Sequence, residues 1–276
     1  MTSAGGYFFA KYHALGNDML VIDPARWSLP LTPARIRTLC DRHTGIGADG
    51  IVCGPLPAGD GCFGMQFFNP DGSEAEKSGN GLRIFARYLW DMGLTADSRC
   101  CISINGERLR AEKLDETGGD IRMEMGQISL ETIRVELDGK EAEATAVSIG
   151  NPHCVLSGQK LTRIHTIGPQ LETDPQFPQR TNVQLLQIID RHTIQIEIWE
   201  RGAGYTRASG SSSCAAAGAA IWQGSCRSPV TVRMAGGTAV VQIDAGWQAA
   251  LVGTVTPLFN GDLSPSFLKQ LQTLRS

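Results

Sequence analysis

Two short segments carry the residues with the clearest potential for chemistry. Ser78-Gly79 in "DGSEAEKSGNGLRIFARYLW" (71–90) and Ser209-Gly210 in "GYTRASGSSSCAAAGAA" (204–220) each lead a small-residue loop into a predicted helix. A helix N-terminus presents unpaired N–H groups and a partial positive charge, which bind a carboxylate or stabilise an enolate-like oxyanion. Two such N-termini indicate two halves of one site. The alternative is that each serine is only an N-cap, the commonest role of serine at such a position.

Polar loop residues surround these segments. They are Asn17 in "HALGND", Asn69 in "FFNPDG", Asn80 in "SGNG", Asn151 and His153 in "GNPHC", and Asn182 in "TNVQ". Asparagine can accept from an ammonium and donate to a carboxylate, so such a set suits a zwitterionic amino acid. Turn formation is the alternative explanation for many of them. Glu200 and Arg201 add an ion-pairing couple, and arginine can bind a carboxylate through two parallel hydrogen bonds.

Composition limits the classes of partner. The chain of 276 residues exceeds the usual size of one domain, so two domains are expected. With 25 basic against 28 acidic side chains, nothing favours nucleic acid or an anionic membrane as a partner. The most apolar run, "CAAAGAAIW", is far shorter than the roughly 20 residues of a membrane span, and the first residues lack the apolar core of a secretory signal. We therefore expect a cytoplasmic protein, with its eight cysteines reduced and mostly buried.

Familiar cofactor and metal motifs have little support. Gly45, Gly47 and Gly50 match the spacing G-x-G-x-x-G, but that fingerprint needs a strand before it and a helix after it, whereas the order predicted here is helix, loop, strand. No glycine run continues as a P-loop. The five histidines show no metal-binding spacing. No cofactor and no metal is expected.

Hydrophobic periodicity, together with helix-capping and turn residues, predicts an alternation of strands and helices. Strands are predicted at 7–12 and 19–23 around a loop from His13 to Asp18, and a helix begins after an N-cap at Thr32. Further helices are predicted at 81–93, 163–173 and 214–224, and a hairpin at 182–202 that turns at Asp190 and Arg191. The two Ser-Gly steps lie nearly half the chain apart with a similar element order around each, which indicates an internal duplication.

Six ordered blocks give a resemblance over nearly the whole chain. The blocks "HALGND", "RHTGIGADG", "NPDGSEAEKSGNGLR", "GNPHCV", "TNV" and "ERGAGYTRASGSSSCAAA" resemble diaminopimelate epimerase and related cofactor-independent amino-acid racemases. The resemblance implies an α/β (α+β) fold of two similar, pseudo-symmetric domains, each a curved, mostly antiparallel sheet around a central helix, with the active site in the interdomain cleft. It places one domain at 1–126, with 256–276 returning to it, and the other at 127–255. It also implies a homodimer.

The chemistry implied by the resemblance is proton transfer at Cα by two cysteines, one per domain, with a thiolate removing the proton and a thiol delivering another from the opposite side. A thiol suits this work because its pKa of about 8.5 falls at a helix N-terminus. In this sequence Ser78 and Ser209 stand at the two cysteine positions. A serine hydroxyl is a much weaker acid. His153 and Glu200 resemble the residues that tune the cysteines, but little or no racemisation is expected, and Cys214 is expected to be a packed helix residue.

The resemblance also assigns substrate contacts. Asn17, Asn69, Asn151, Asn182, Glu200 and Arg201 would hold the distal end of an amino acid, and Gly79, Asn80, Gly210 and Ser211 would donate to the carboxylate of the reacting carbon. Two positions depart from the family. Gly50 stands where many members have Gln, and Tyr205 stands where the family has Glu. Tyr205 would bring an aromatic ring near the site and favour another polar amino acid such as histidine, unless it is a tyrosine that packs on the surface.

Several interpretations remain open. Conservative replacement of both cysteines favours an engineered substrate-trapping variant over a natural homologue that lost its chemistry. A binding protein or sensor that keeps the site without catalysis is a second class. A dehydratase that uses one weak base is a third.

Overall fold

The chain divides into two compact units. A computed structural model describes residues 6–75 and 77–274, so Glu76 of the first serine segment and both chain ends, including the N-terminal residues 1–5, lie outside the described residues. Unit 1 comprises Met1–Ile121 and Thr254–Ser276, and unit 2 comprises Arg122–Gly253. In the described part of the chain, no helix has both the length and the apolar character needed to cross a membrane.

The described residues form eighteen strands and five α-helices. The strands are β1 (Phe8–Ala14), β2 (Asn17–Ile22), β3 (Ile51–Pro57), β4 (Cys62–Phe68), β5 (Glu74–Ala75), β6 (Arg99–Ile104), β7 (Glu107–Lys113), β8 (Asp120–Gln127), β9 (Ser129–Leu137), β10 (Lys140–Ser148), β11 (Pro152–Ser157), β12 (Asn182–Asp190), β13 (Thr193–Glu200), β14 (Gly204–Thr206), β15 (Val230–Met234), β16 (Gly237–Ile243), β17 (Gln248–Thr254) and β18 (Thr256–Asp262). The helices are α1 (Pro33–Cys40), α2 (Gly79–Asp91), α3 (Ile164–Glu172), α4 (Gly210–Trp222) and α5 (Pro265–Thr273).

The same strand pairing occurs in both units. In unit 1, β2 pairs in parallel with β3, β3 pairs antiparallel with β4, and β4 pairs antiparallel with β5 and parallel with β6. In unit 2, β11, β12, β13, β14 and β15 repeat these pairings in the same order. The α/β fold with two similar units, predicted from the sequence, is therefore confirmed. The C-terminal strand β18 pairs with β1 and so lies in unit 1.

Each unit has an outer helix with its own apolar cluster. Helix α1 begins after Thr32, whose side chain accepts from the N–H of Arg35, and Pro33 occupies its first position, as predicted. Ile36 and Leu39 of this helix are fully buried. In unit 2 the helix α3 packs against strands β12 and β13. The α3 cluster consists of Val135, Leu137, Ala144, Cys154, Leu156, Ile164, Ile167, Leu171, Val183 and Leu185.

Each unit also has an inner helix that is nearly all buried. Helix α2 contacts β1, β2, β3 and β6, and α4 contacts the strands from β9 to β13 as well as β15 and β16. Both helices begin earlier than predicted, at Gly79 and Gly210, because Ser78 and Ser209 cap them directly. Cys214 is fully buried in α4, which confirms its prediction as a packed helix residue.

The predicted loop from His13 to Asp18 is wrong. Strands β1 and β2 continue until Ala14 pairs with Asn17, and only Leu15 and Gly16 form the turn. Both turn residues have positive φ, 55° and 83°, which is the backbone that a two-residue hairpin requires. Asn17 therefore lies at the start of a strand.

The prediction that all cysteines are reduced is also wrong. Cys62 on β4 and Cys101 on β6 are directly paired in the parallel ladder and form a disulfide. No sequence pattern indicates this pair, because only the pairing of β4 with β6 brings two residues 39 positions apart into contact. The other six cysteines are buried thiols.

The disulfide predicts how many free thiols the unfolded chain exposes. Protein purified without reductant and unfolded in guanidinium should expose six thiols per chain in a colorimetric titration, and eight after reduction. The variant Cys62→Ser/Cys101→Ser should expose six in both cases. Eight thiols in the untreated protein would show that the two strands hold reduced cysteines.

Candidate active site

Both serines occupy the N-cap position of a buried helix. Ser78 is in an extended backbone conformation, and its Oγ accepts from the N–H of Gly81 at 3.1 Å. Ser209 is likewise extended, and its Oγ accepts from the N–H of Ser212 at 3.5 Å. The capping bonds leave N–H groups earlier in each first turn without an acceptor inside the helix. Each N-terminus therefore combines a hydroxyl with a positive dipole end that suits an anion.

In the part of the chain that the structure describes, neither serine hydroxyl has an acid–base side chain as its hydrogen-bond partner. Across residues 6–75 and 77–274, neither Ser78 Oγ nor Ser209 Oγ hydrogen-bonds to a His, Asp or Glu side chain. The other polar contact of Ser209 Oγ is with Ser211 Oγ at 3.5 Å. A serine without a base keeps its proton at neutral pH. The geometry thus supports anion binding at both helices.

Two predicted contact residues meet at the α2 N-terminus. The amide of Asn80 donates to Asn17 Oδ1 at 3.1 Å, and Asn80 Oδ1 accepts from the guanidinium of Arg83 at 2.8 Å. Arg83 is fully buried and also donates to the carbonyl of Gly79 at 3.2 Å. Because the buried guanidinium of Arg83 can only donate, this chain of hydrogen bonds fixes the orientation of the Asn80 and Asn17 amides beside Ser78.

A charged network supports Asn17 from the other side. The Asn17 amide donates to Asp49 at 3.0 Å, and Arg42 bridges Asp49 and Asp18. Lys11, which is buried, forms an ion pair with Asp18 at 2.8 Å. Burial alone would raise the pKa of Asp18, but the hydrogen bonds from Arg42 and Lys11 outweigh it and hold that pKa well below its usual range. Asn17 is consequently held by Asp49, which Arg42 connects to Asp18.

Gly50 is explained by its neighbours. A Cβ atom at Gly50 would lie 2.8 Å from Phe67 Cζ and 2.8 Å from the carbonyl oxygen of Phe68. The same Phe67 ring lies 3.4 Å from the Cβ position of Gly81, in the first turn of α2. The aromatic ring therefore fills the space beside Gly50, and a larger side chain there would require it to move.

Asn69 serves a turn. Its amide donates to Ser73 Oγ at 3.0 Å, and its backbone N–H donates to the Ser73 carbonyl at 2.9 Å. These contacts close the "NPDGS" turn, which matches the turn-forming alternative for this residue.

In unit 2, His153 is buried next to the inner helix. Its Nε2 lies 3.0 Å from Asn151 Oδ1, and Gln184, which adjoins it, donates to Ser212 Oγ of α4 at 3.0 Å. Burial lowers the pKa of His153 to about 3, and the charge of Arg201 adds to this shift. A neutral imidazole is the form present at pH 7. His153 can orient Asn151 but does not reach Ser209.

Asn182 joins the two loops that carry the remaining predicted contacts. Its amide donates to the carbonyl of Pro152 at 2.9 Å, and its Oδ1 accepts from the N–H of Arg201 at 3.0 Å. Asn182 is buried, so both bonds form away from water. Beside it, Glu200 accepts from Thr206 Oγ1 at 3.0 Å. The side chain of Asn182 holds the loops together.

Tyr205 lies against the outer helix. It pairs with Trp199 across β13 and β14, its ring centroid is 4.7 Å from that of His165 on α3, and its hydroxyl donates to Glu197 at 2.8 Å. The side chain is 37% exposed. This placement matches a tyrosine that packs on the surface.

Residues missed by the sequence analysis complete these clusters. Asp49 and Arg83 lie inside the blocks "GIGADG" and "SGNGLR", and Gln184 follows Asn182 by two residues on the same strand face. That spacing was the one available signal for Gln184. In the described ranges, no group of three or more His, Cys, Asp or Glu side chains is arranged to hold a metal ion.

The buried imidazole predicts a pH dependence. Unfolded His153 binds a proton below pH 6.5, but the folded form does so only near pH 3. Lowering the pH from 7 to 4 should therefore reduce the stability of the parent relative to His153→Asn by about 1.4 kcal/mol per pH unit below pH 6.5. Urea unfolding of both proteins across this range measures the difference, and a difference that stays constant would contradict the burial of a neutral imidazole.

Comparison with known sequences gives a consistent family. The family model for diaminopimelate epimerase matches residues 9–131 and 145–256. Diaminopimelate epimerase 2 of Nostoc sp. is 46% identical over 272 residues, covering 93% of this chain and 95% of that protein. Diaminopimelate epimerase of Stutzerimonas stutzeri is 37% identical, with 92% and 98% covered.

Solved structures with low identity share the fold. A hydroxyproline epimerase from Agrobacterium vitis superposes with a TM-score of 0.75 at 12% identity, covering 96% of this chain and 95% of that one. A PhzF-family phenazine biosynthesis protein from Bacillus anthracis gives 0.70 at 16% identity, covering 95% and 100%. At these identities the likeness concerns the fold alone.

Proposed function

We propose, since this chain belongs to the diaminopimelate epimerase family, that it is an isomerase scaffold for epimerising or racemising an amino acid at Cα without pyridoxal phosphate or metal. Diaminopimelate is the leading substrate, because the relatives that cover the chain bear that name. A small amino acid is the partner, and we further propose a cytoplasmic homodimer.

One observation carries the proposal. Ser78 and Ser209 cap the two inner helices, α2 and α4, which follow β5 and β14 at equivalent places in the repeated strand pairing. Two equivalent hydroxyls at two positive helix ends suit two groups that exchange protons with one carbon atom while the dipoles stabilise the negative charge of its carboxylate. We therefore assign these two positions to the proton-transferring pair.

The surrounding residues are assigned to binding. We propose that the amides of Asn17, Asn80 and Asn151, with the guanidinium of Arg201, recognise the polar groups of the amino acid, and that Asn69, Glu200 and Asn182 shape the loops beside them. The first-turn residues Gly79, Gly210 and Ser211 would donate to the carboxylate. Rigid amides favour this role, because groups held by neighbouring side chains lose little entropy when a ligand binds.

The presence of serine at both positions determines whether the chain can catalyse proton transfer. A hydroxyl without a base cannot take a proton from an unactivated Cα, so we propose that the chain as written binds its substrate and turns it over very slowly or not at all. Replacement of both cysteines by a nearly isosteric residue suits a substrate-trapping variant. Codons 78 and 209 of the source gene decide between this origin and a natural change.

Restoring the thiols should restore exchange. We expect Ser78→Cys/Ser209→Cys to incorporate solvent deuterium at Cα of diaminopimelate, because each thiol lies at a helix N-terminus that favours its thiolate. The parent should be slower by at least about 10²–10⁴-fold for each missing acid–base group. Mass spectrometry of the amino acid in D₂O measures the exchange.

The single variants serve as controls. Ser78→Cys and Ser209→Cys alone should exchange the proton from one face without inverting the substrate, since the opposite face lacks a donor of suitable pKa. A folded double variant that exchanges none of a panel of amino acids, including histidine, would refute the proposed reaction.

A binding protein is the second candidate. The absence of a base at either serine, across the described residues, favours it if both serines are native. Calorimetry with the unaltered chain should then detect an amino acid that binds, while the thiol variant shows no exchange. This pair of outcomes separates sensing from isomerisation.

A further inference from the structure

The strongest unassigned cluster lies at the C-terminal end of α3. Glu172 is 5% exposed, and both of its carboxylate oxygens are engaged. Oε1 accepts from the backbone N–H of Gly202 and from Arg180, each at 2.7 Å, and Oε2 accepts from Trp199 Nε1 at 2.7 Å. Two of these three partners belong to the segment that carries Arg201.

The position of Glu172 is unfavourable for the helix itself. A helix C-terminus carries a partial negative charge, so a cation is preferred there and a carboxylate is repelled. Burying the carboxylate adds a further cost unless it is paired and hydrogen-bonded. The contacts with Arg180, Trp199 and Gly202 supply this pairing. The location of Glu172 is thus explained by its partners outside α3.

The loop is fixed from two sides. Consecutive backbone N–H groups, those of Arg201 and Gly202, donate to Asn182 Oδ1 and Glu172 Oε1. Two acceptors on neighbouring donors define the orientation of the peptide that joins the two residues. Asn182 and Glu172 together therefore fix the backbone from which the Arg201 side chain extends.

Other α3 residues support the same segment. A Cβ at Gly168 would lie 2.6 Å from the Cβ of Trp199, and the His165 ring contacts the Tyr205 ring in a tilted arrangement, with centroids 4.7 Å apart. His165, Gly168 and Glu172 follow one another at three and four residues, so they form one stripe on the helix. This stripe contacts the segment 199–205 along its length.

We propose that Glu172 is a positioning residue which, from α3, holds the loop that presents Arg201 to the substrate. The inference rests on the proposed function in one respect, the assignment of Arg201 to substrate binding. In this role Glu172 acts through the Gly202 N–H, from which its Oε1 accepts a hydrogen bond.

Amide exchange tests the positioning directly. In Glu172→Ala, hydrogen exchange at the Gly202 amide should accelerate at least about tenfold, because its acceptor is lost. Glu172→Gln retains an acceptor oxygen and should keep most of the protection. The amide of Gly139, in a turn elsewhere in unit 2, and the exposed-site variant Glu143→Ala serve as controls. Unchanged exchange at Gly202 in a folded Glu172→Ala protein would overturn the proposal.

Kinetics in the Ser78→Cys/Ser209→Cys background test the consequence for substrate. Glu172→Ala should raise KM about tenfold with kcat within about twofold, while Glu172→Gln stays within about threefold of the parent. In an Arg201→Ala background the same change should have no further effect on KM. Multiplicative effects of the two changes, or a lowered Tm with unchanged KM, would refute the positioning role.

The two failures are distinguishable. If the thiol variant shows no exchange with any amino acid, the proposed function fails, and the Gly202 amide still decides whether Glu172 fixes the loop. If exchange occurs and Glu172→Ala leaves KM unaltered, the function stands and the inference fails.

Discussion

The inner helices α2 and α4 are buried from their first residue, and the arrangement of the side chains around their N-termini depends on this burial. The first N–H groups of each helix have no partner inside the helix, and burial denies them water. Ser78 and Ser209 each satisfy one such group, and both helices begin with a glycine immediately afterwards. The other N–H groups of the first turn and the positive end of the helix dipole remain, and the carboxylate of a ligand can bind to them. In this view the need to cap a buried helix and the capacity to bind an anion have one physical origin.

The same constraint explains the residues around each N-terminus. Polar groups near a buried helix end must be paired, since an unpaired buried donor or acceptor costs about 1–3 kcal/mol. Unit 1 meets this requirement with Asn17, Asn80 and Arg83, held through Asp49 by a network of charges. In unit 2 a neutral imidazole, His153, bonds to Asn151 through Nε2 and Gln184 donates to Ser212, while His153 Nδ1 and Gln184 Oε1 have no hydrogen-bond partner among the described residues. Both solutions fix side chains in place before any ligand arrives.

Sequence reasoning succeeded where the signal was local. The N-cap at Thr32, the proline after it and the doubled Ser-Gly step each depend on residues within one turn, and the helices that follow them are present. It failed where the deciding partner was distant in sequence, as for the Cys62–Cys101 disulfide, which depends on the pairing of two separate strands. The surroundings of Gly50 and Tyr205, which the sequence left open, likewise come from separate elements, Phe67 on β4 and His165 on α3. Glu172 was missed for a similar reason, because a glutamate at the end of a helix becomes informative only when its buried partners are known.

The two units repeat one strand pairing but surround their serines differently, and this difference follows from the composition of the inner helices. Helix α2 carries bulky side chains and the buried guanidinium of Arg83, so its N-terminus requires acceptors from neighbouring strands. Helix α4 is built mainly from alanine, glycine and serine; Ser213 donates to the Ser209 carbonyl at 2.7 Å within its own turn, and Ser212 accepts from Gln184 on β12. The proposed inversion of a stereocentre would require one group that removes a proton and another that supplies one, and groups in identical surroundings would have identical pKa values. Unequal surroundings on a repeated framework therefore allow the two positions to differ in acidity while the backbone that presents them stays the same.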